Sequence, residues 1–225
     1  SMPIFMVRLV KHLDTDANIE PITDGSRSGF RVYRSYMGSQ IRQTIWLYSR
    51  SRRIDFENEI DWHEKHQMMK IAFPIDVHTD RAAYEIQFGH VYRPTHENTG
   101  WDAAKFEVCG HKWVDISENG FGFALMNDCK YGFNAEENVI KLTALKCASY
   151  PNPEADEGLH EFSYAITTHN GNLAENKIVQ QAYSFNQPLY SAYIGKQDGI
   201  LPEKFSLVSV DNDNVVIDTV KKAEN

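Results

Sequence analysis

Cysteine is scarce and unpaired in this chain. Cys109, Cys129 and Cys147 are an odd number with no CxxC spacing among them, so neither a disulfide framework nor a zinc knuckle is written here. Positive charge is also in deficit, with 23 Lys and Arg against 31 Asp and Glu and a net charge of -8. Binding to a phosphate backbone needs clustered cations that release counterions, so nucleic acid is not an expected partner. No run approaches the roughly 18 apolar residues of a membrane span. The start, Ser1-Met2-Pro3-Ile4-Phe5-Met6-Val7, is too short in its apolar stretch for a signal peptide. Asn-x-Ser/Thr is missing throughout, which gives no support to a glycosylated, secreted protein. These absences place the expected chain in the cytoplasm, away from membranes.

What is present is a core. Apolar residues make up 42% of 225 positions, and a chain of that length buries about 70–75% of its unfolded surface. The clearest pattern lies at 53–62. Ile54, Phe56, Ile60 and Trp62 fall on one parity and Asp55, Glu57, Glu59 and Asp61 on the other. Side chains alternate across a strand, so this is a half-buried strand with a carboxylate face, for which Arg50, Arg52 and Arg53 are the expected partners. Further β-branched and aromatic runs lie at 30–36, 40–48, 67–75, 82–93, 104–108, 113–116, 120–127, 139–147, 161–168, 205–210 and 215–221, separated by Gly-, Asn-, Asp- and Pro-rich breaks. Only 173–183 reads as a helix. Many short strands at this spacing predict an all-β chain, a sandwich or a barrel, organised as a single domain over 1–225.

Several motifs carry potential chemistry. His63 and His66 are three apart after a strand, whereas a zincin helix sets its histidines four apart; a connecting loop is expected. His90, His96 and His111 are scattered. Gly120-Phe121-Gly122 lacks the third glycine and the helix of a dinucleotide loop, and reads as a strand whose small residues allow close packing. Asp211-Asn212-Asp213-Asn214 lacks the later positions of a calcium loop and reads as a hairpin turn. No Gly-x-Ser-x-Gly elbow marks a serine nucleophile. The polar cluster 127–132 sits where an apolar strand ends, and loops at strand ends carry binding groups. Asn127, Asp128, Lys130 and Tyr131 are therefore the candidate ligand contacts.

The stretches RIDFENEIDWHEKHQMMKIAFPIDV (53–77), YEIQFGHVYRPTHENTGWDAAKFEVCGHKWVDISENGFGFALMNDCKYG (84–132), PNPEADEGLHEFSYAI (151–166) and FSLVSVDNDNVVIDTVKKAE (205–224) resemble the C-terminal β-domain of glycoside hydrolase family 38 α-mannosidases, in the cytosolic and bacterial branch. Residues 1–26 form a leading segment outside this match. The resemblance implies a large antiparallel β-sandwich of the galactose mutarotase-like supersandwich kind, with at most one or two short helices. It implies a fragment of a longer retaining enzyme that cleaves α-mannosides. The catalytic aspartate and a divalent metal, usually zinc, are then carried on a missing catalytic domain followed by a helical bundle. These two regions would be the partners of the sandwich, which itself holds no catalytic or metal residue. Asn127, Asp128, Lys130 and Tyr131 would stand near the rim of the sugar cleft, although some branches have Asp-Arg where this chain has Asp128-Cys129. An unpaired sheet edge would favour a homo-oligomer. A free-standing carbohydrate-binding module is the rival reading, with Tyr33, Tyr36, Trp46 and Trp101 as candidate stacking platforms.

Overall fold

The computed structural model describes residues 11–13, 16–173, 175–196, 198–200, 202–212 and 214–224. Thirteen strands and two helices run along it: β1 (Asn18–Asp24), β2 (Arg27–Tyr36), β3 (Ser39–Tyr48), β4 (Ile54–Trp62), β5 (Met69–Pro74), β6 (Arg81–Ile86), β7 (Gly89–Pro94), α1 (Gly100–Ala103), β8 (Val108–Cys109), β9 (Trp113–Glu118), β10 (Phe121–Asn127), β11 (Gly132–Glu136), β12 (Val139–Leu145), β13 (Gly158–His169) and α2 (Ile178–Asn186). Nine strands form one sheet in the order β1-β2-β3-β4-β13-β10-β9-β6-β7, and four form a second in the order β5-β12-β11-β8. Every pairing is antiparallel.

The inward rows of the two sheets meet in one core. Ile60, Trp62, Val114, Ile116, Leu125 and Tyr164 of the large sheet pack with Phe133, Ile140, Leu142 and Leu145 of the small one. Phe56 and Tyr164 stack at 4.6 Å between ring centroids, directly across β4 and β13. The expected alternation of β4 holds, because Phe56, Ile60 and Trp62 face this core while the carboxylates face away. Their partners are Arg27 for Glu57, Arg42 for Glu59 and Arg53 for Asp55, so Arg50 and Arg52 give way to arginines that the β2-β3-β4 register brings alongside. Asp55 is buried, held by Arg53 and the Tyr48 hydroxyl.

A second apolar layer covers the opposite face of the large sheet. Ile178 and Ala182 of α2 pack on Ala83, Trp113, Ala124, Met126 and Ala165. The helix starts later than the apolar pattern at 173–183 suggests, because the Asn176 Oδ1 accepts the Ile178 N–H at 2.9 Å and so caps the helix there.

Four further differences have local causes. The run 82–93 is a hairpin, broken where Phe88 takes a φ of 58° in the turn between β6 and β7. At 104–108 the strand shrinks to β8 because α1 and its following turn occupy the preceding residues, with Thr99 capping α1 through its side chain. β11 arises between the expected strands 120–127 and 139–147, where Phe133 and Ala135 point into the core. β1 arises inside the leading segment, paired along its length with β2.

The chain divides into units of residues 1–186 and 187–225. The described residues of the second unit form no helix or strand and are exposed. The expected strands at 205–210 and 215–221 are thus not formed: their alternating apolar residues lack a hydrogen-bonded ladder, which is what makes an extended segment a strand. The hairpin expected at 211–214 is not formed, since its flanking strands are absent; the described residues keep a turn, with the Asn212 carbonyl accepting the Val215 N–H at 3.1 Å, and Asp213 lies outside them.

Candidate functional site

The segment 127–131 links β10 to β11 and crosses from the large sheet to the small one. Asn127 ends β10 almost fully buried, and its amide is committed to the backbone. Its Nδ2 donates to the His111 carbonyl at 2.6 Å, and its Oδ1 accepts the Lys130 N–H at 2.6 Å. From α2, the Asn186 Nδ2 donates to the Asn127 carbonyl at 3.0 Å. The Asp128 Oδ2 accepts the Ser163 N–H of β13 at 2.9 Å, while the Asp128 N–H donates back to the Ser163 carbonyl. The segment is therefore tied to the loop that precedes β9, to β13 and to α2 at once.

These ties leave a pocket of about 190 Å³ lined by Glu85, Gln87, His111, Lys112, Asn127, Asp128, Tyr131 and Asn186. Three of the four predicted contacts, Asn127, Asp128 and Tyr131, are brought together here. Lys130 is not, since its ammonium lies 4.7 Å from the centre of the Phe162 ring. Tyr131 is half exposed and stands 5.3 Å from the His111 ring. Gln87 and His111 place their Nε2 atoms 3.0 Å apart. Buried Glu85 holds Lys112 through both its backbone N–H and its ammonium. Partial burial of the thiol and a hydrogen bond with Asp128 push Cys129 up to about 11, so at neutral pH it is a thiol and not a nucleophilic thiolate.

Sequence reasoning missed Glu85, Gln87, His111, Lys112 and Asn186. The first two sit at the end of β6, and their position beside 127 depends on β6 pairing with β9, a long-range contact that no local pattern announces.

It also missed a buried polar cluster. The His169 Nε2 lies 2.6 Å from the Asp115 Oδ2, and both residues are buried. Ser117 donates its hydroxyl to the other Asp115 oxygen. Burial by itself pushes the His169 imidazole down, but the Asp115 carboxylate and the carbonyls of Asn170 and Gly171 outweigh it and hold the pKa above its ordinary value. An Asp in the middle of the apolar β9 run was the available signal.

His63 and His96 stand in surface ion pairs. His63 pairs with Asp61 at 3.0 Å on the surface, and the loop it begins is anchored by Glu64, which accepts the Gly38 N–H at 2.7 Å. His96 faces Asp102 at 3.8 Å. Among the described residues no three His, Cys, Asp or Glu side chains converge as a metal-ligand set.

The model of the glycosyl hydrolases family 38 C-terminal domain matches residues 8–154. The chain belongs to glycosyl hydrolase family 38. Family 38 likeness extends to curated relatives: it is 42% identical over 187 residues to human alpha-mannosidase 2C1, covering 83% of this chain and 18% of that protein. It is 40% identical to alpha-mannosidase G of Dictyostelium discoideum, covering 82% and 17%, and 38% identical to the alpha-mannosidase of Saccharomyces cerevisiae, covering 77% and 16%. The chain thus spans less than a fifth of these relatives. Its fold matches the crystal structure of an alpha-mannosidase from Enterococcus faecalis V583 with a TM-score of 0.74 at 16% identity, covering 84% of this chain and 26% of that one. The antiparallel sandwich expected from the sequence is therefore the fold found.

Proposed function

We propose that the chain is the non-catalytic β-sandwich domain of a retaining α-mannosidase. In this reading it supports the parent's catalytic and helical domains and lends the 127–131 segment to the rim of the sugar cleft. The observation that carries it is the 38–42% identity to α-mannosidases over most of the chain, at under a fifth of their length. The nucleophile, the acid and a divalent metal, zinc by family resemblance, then belong to the rest of the parent. Exposed Cys109 and Cys129, both free, fit a reducing cytoplasmic setting.

The pocket geometry divides labour within the rim. Asn127, with both amide atoms engaged, positions the segment, and Lys130 steadies it through Phe162. Tyr131, Asp128 and the Gln87–His111 pair present donors and acceptors suited to sugar hydroxyls. In the full-length parent, Tyr131→Phe should lower kcat/KM for an aryl α-mannoside about tenfold, the loss of one hydrogen bond to substrate, without changing thermal stability. Unchanged kinetics would remove Tyr131 from the rim.

A further inference from the structure

The large sheet carries an open depression on the face that α2 covers elsewhere. α2 begins at Ile178, and residues of β7, β6 and β9 together with Asn172 and Leu173 line a groove of about 850 Å³. That volume lies in the range of small-molecule sites. The register supplies its construction: Tyr92 of β7 sits opposite Ala83 of β6, and Ala83 opposite Asp115 of β9. Ala83 is nearly buried in the layer under α2, and the half-exposed Tyr92 ring stands across from it at the groove. Arg81, Ser117 and Leu173 also line the groove, with Asp80 and Asn119 from the adjoining turns.

The chemistry of the lining selects among ligand classes. Asp80, Asp115 and Glu118 outnumber the Arg81 guanidinium, which lies 4.5 Å from the Tyr92 ring centre, so an anion such as phosphate is disfavoured. Polar groups ring the groove, so an apolar ligand would strand them. An aromatic side chain beside carboxylate, amide and hydroxyl groups suits a ligand with C–H patches and hydroxyls on the same ring. Asp115 is buried, with one oxygen against His169 and the other accepting from Ser117, so it fixes the Ser117 hydroxyl at the groove before binding.

We propose that this groove is a saccharide-binding site, separate from the 127–131 rim and taking a pyranose against Tyr92. It restores part of the carbohydrate-binding reading on a different platform: of those expected, Trp101 is 83% exposed but does not line this groove. Trp46 is buried beneath Arg27 at 4.0 Å, and Tyr36 stacks on Trp62 at 5.8 Å.

The test is titration of the isotope-labelled 225-residue chain with methyl α-mannopyranoside and with an α-linked mannobiose, read by amide chemical shifts and calorimetry. Saturable shifts at Arg81, Tyr92, Ser117 and Asn119 are expected, weakened about tenfold or more in Tyr92→Ala through lost aromatic contact and unchanged in Tyr131→Ala. Should Tyr92→Ala fail to fold, Asn119→Ala, in an exposed turn, gives the same readout. No saturation up to the order of 10 mM, shifts confined to 127–131, or the same shifts on adding inorganic phosphate would each overturn the site. Loss of the rim role alone would leave these shifts in place.

Discussion

At the scale of single residues, the Asp115–His169 pair is the strongest constraint on the outer face of the large sheet. The folded pKa of His169 lies above its ordinary value. The stability it contributes is therefore complete below the unfolded value, about 6.5, and is lost as pH rises through the folded value. The melting temperature should fall as pH climbs through that window, and His169→Gln should flatten this slope while lowering stability at acidic pH. A slope identical in the two proteins would dissociate the pair from folding. Gly122 lies opposite His169 in the β10–β13 ladder, and a Cβ there would collide with the imidazole and with the Ser117 hydroxyl. Gly122→Ala should destabilise by about 1–3 kcal/mol, the range for overpacking, read by denaturant unfolding. The glycine that looked like part of a nucleotide motif serves close packing, as its strand context indicated.

At the scale of elements, α2 acts as a strut for the 127–131 segment as well as a lid on the second apolar layer. Asn186 sits at its last position and bonds the Asn127 carbonyl, whose residue is almost fully buried. Asn186→Ala should leave that carbonyl without this partner, at a cost of about 1–3 kcal/mol. Amide exchange at 128–131 should quicken more than at β4, and equal changes in both would assign the effect to global stability. Elements written in short-range alternation, such as β3, β4 and β10, were legible from sequence. β8 and β11 were not, because each is a brief strand whose existence depends on its neighbour in the small sheet. The start of α2 was misplaced because a capping bond of Asn176 outweighed the apolar periodicity around Leu173.

At the scale of the whole molecule, the two-sheet core follows from inward rows that the sequence spells in alternation, and the family likeness was legible in long stretches such as 84–132. The site was only half legible. Asn127, Asp128 and Tyr131 declared themselves as a polar strand end, yet Gln87, His111 and Asn186 reach the same pocket through the β6–β9 pairing and the docking of α2. In the proposed reading the chain supplies a scaffold and a rim, and the chemistry belongs to polypeptide outside it. The direct test is hydrolysis of an aryl α-mannoside by the purified 225-residue chain. No turnover above the uncatalysed rate is the predicted result; turnover that survives repurification and disappears in Asp128→Asn would contradict the account.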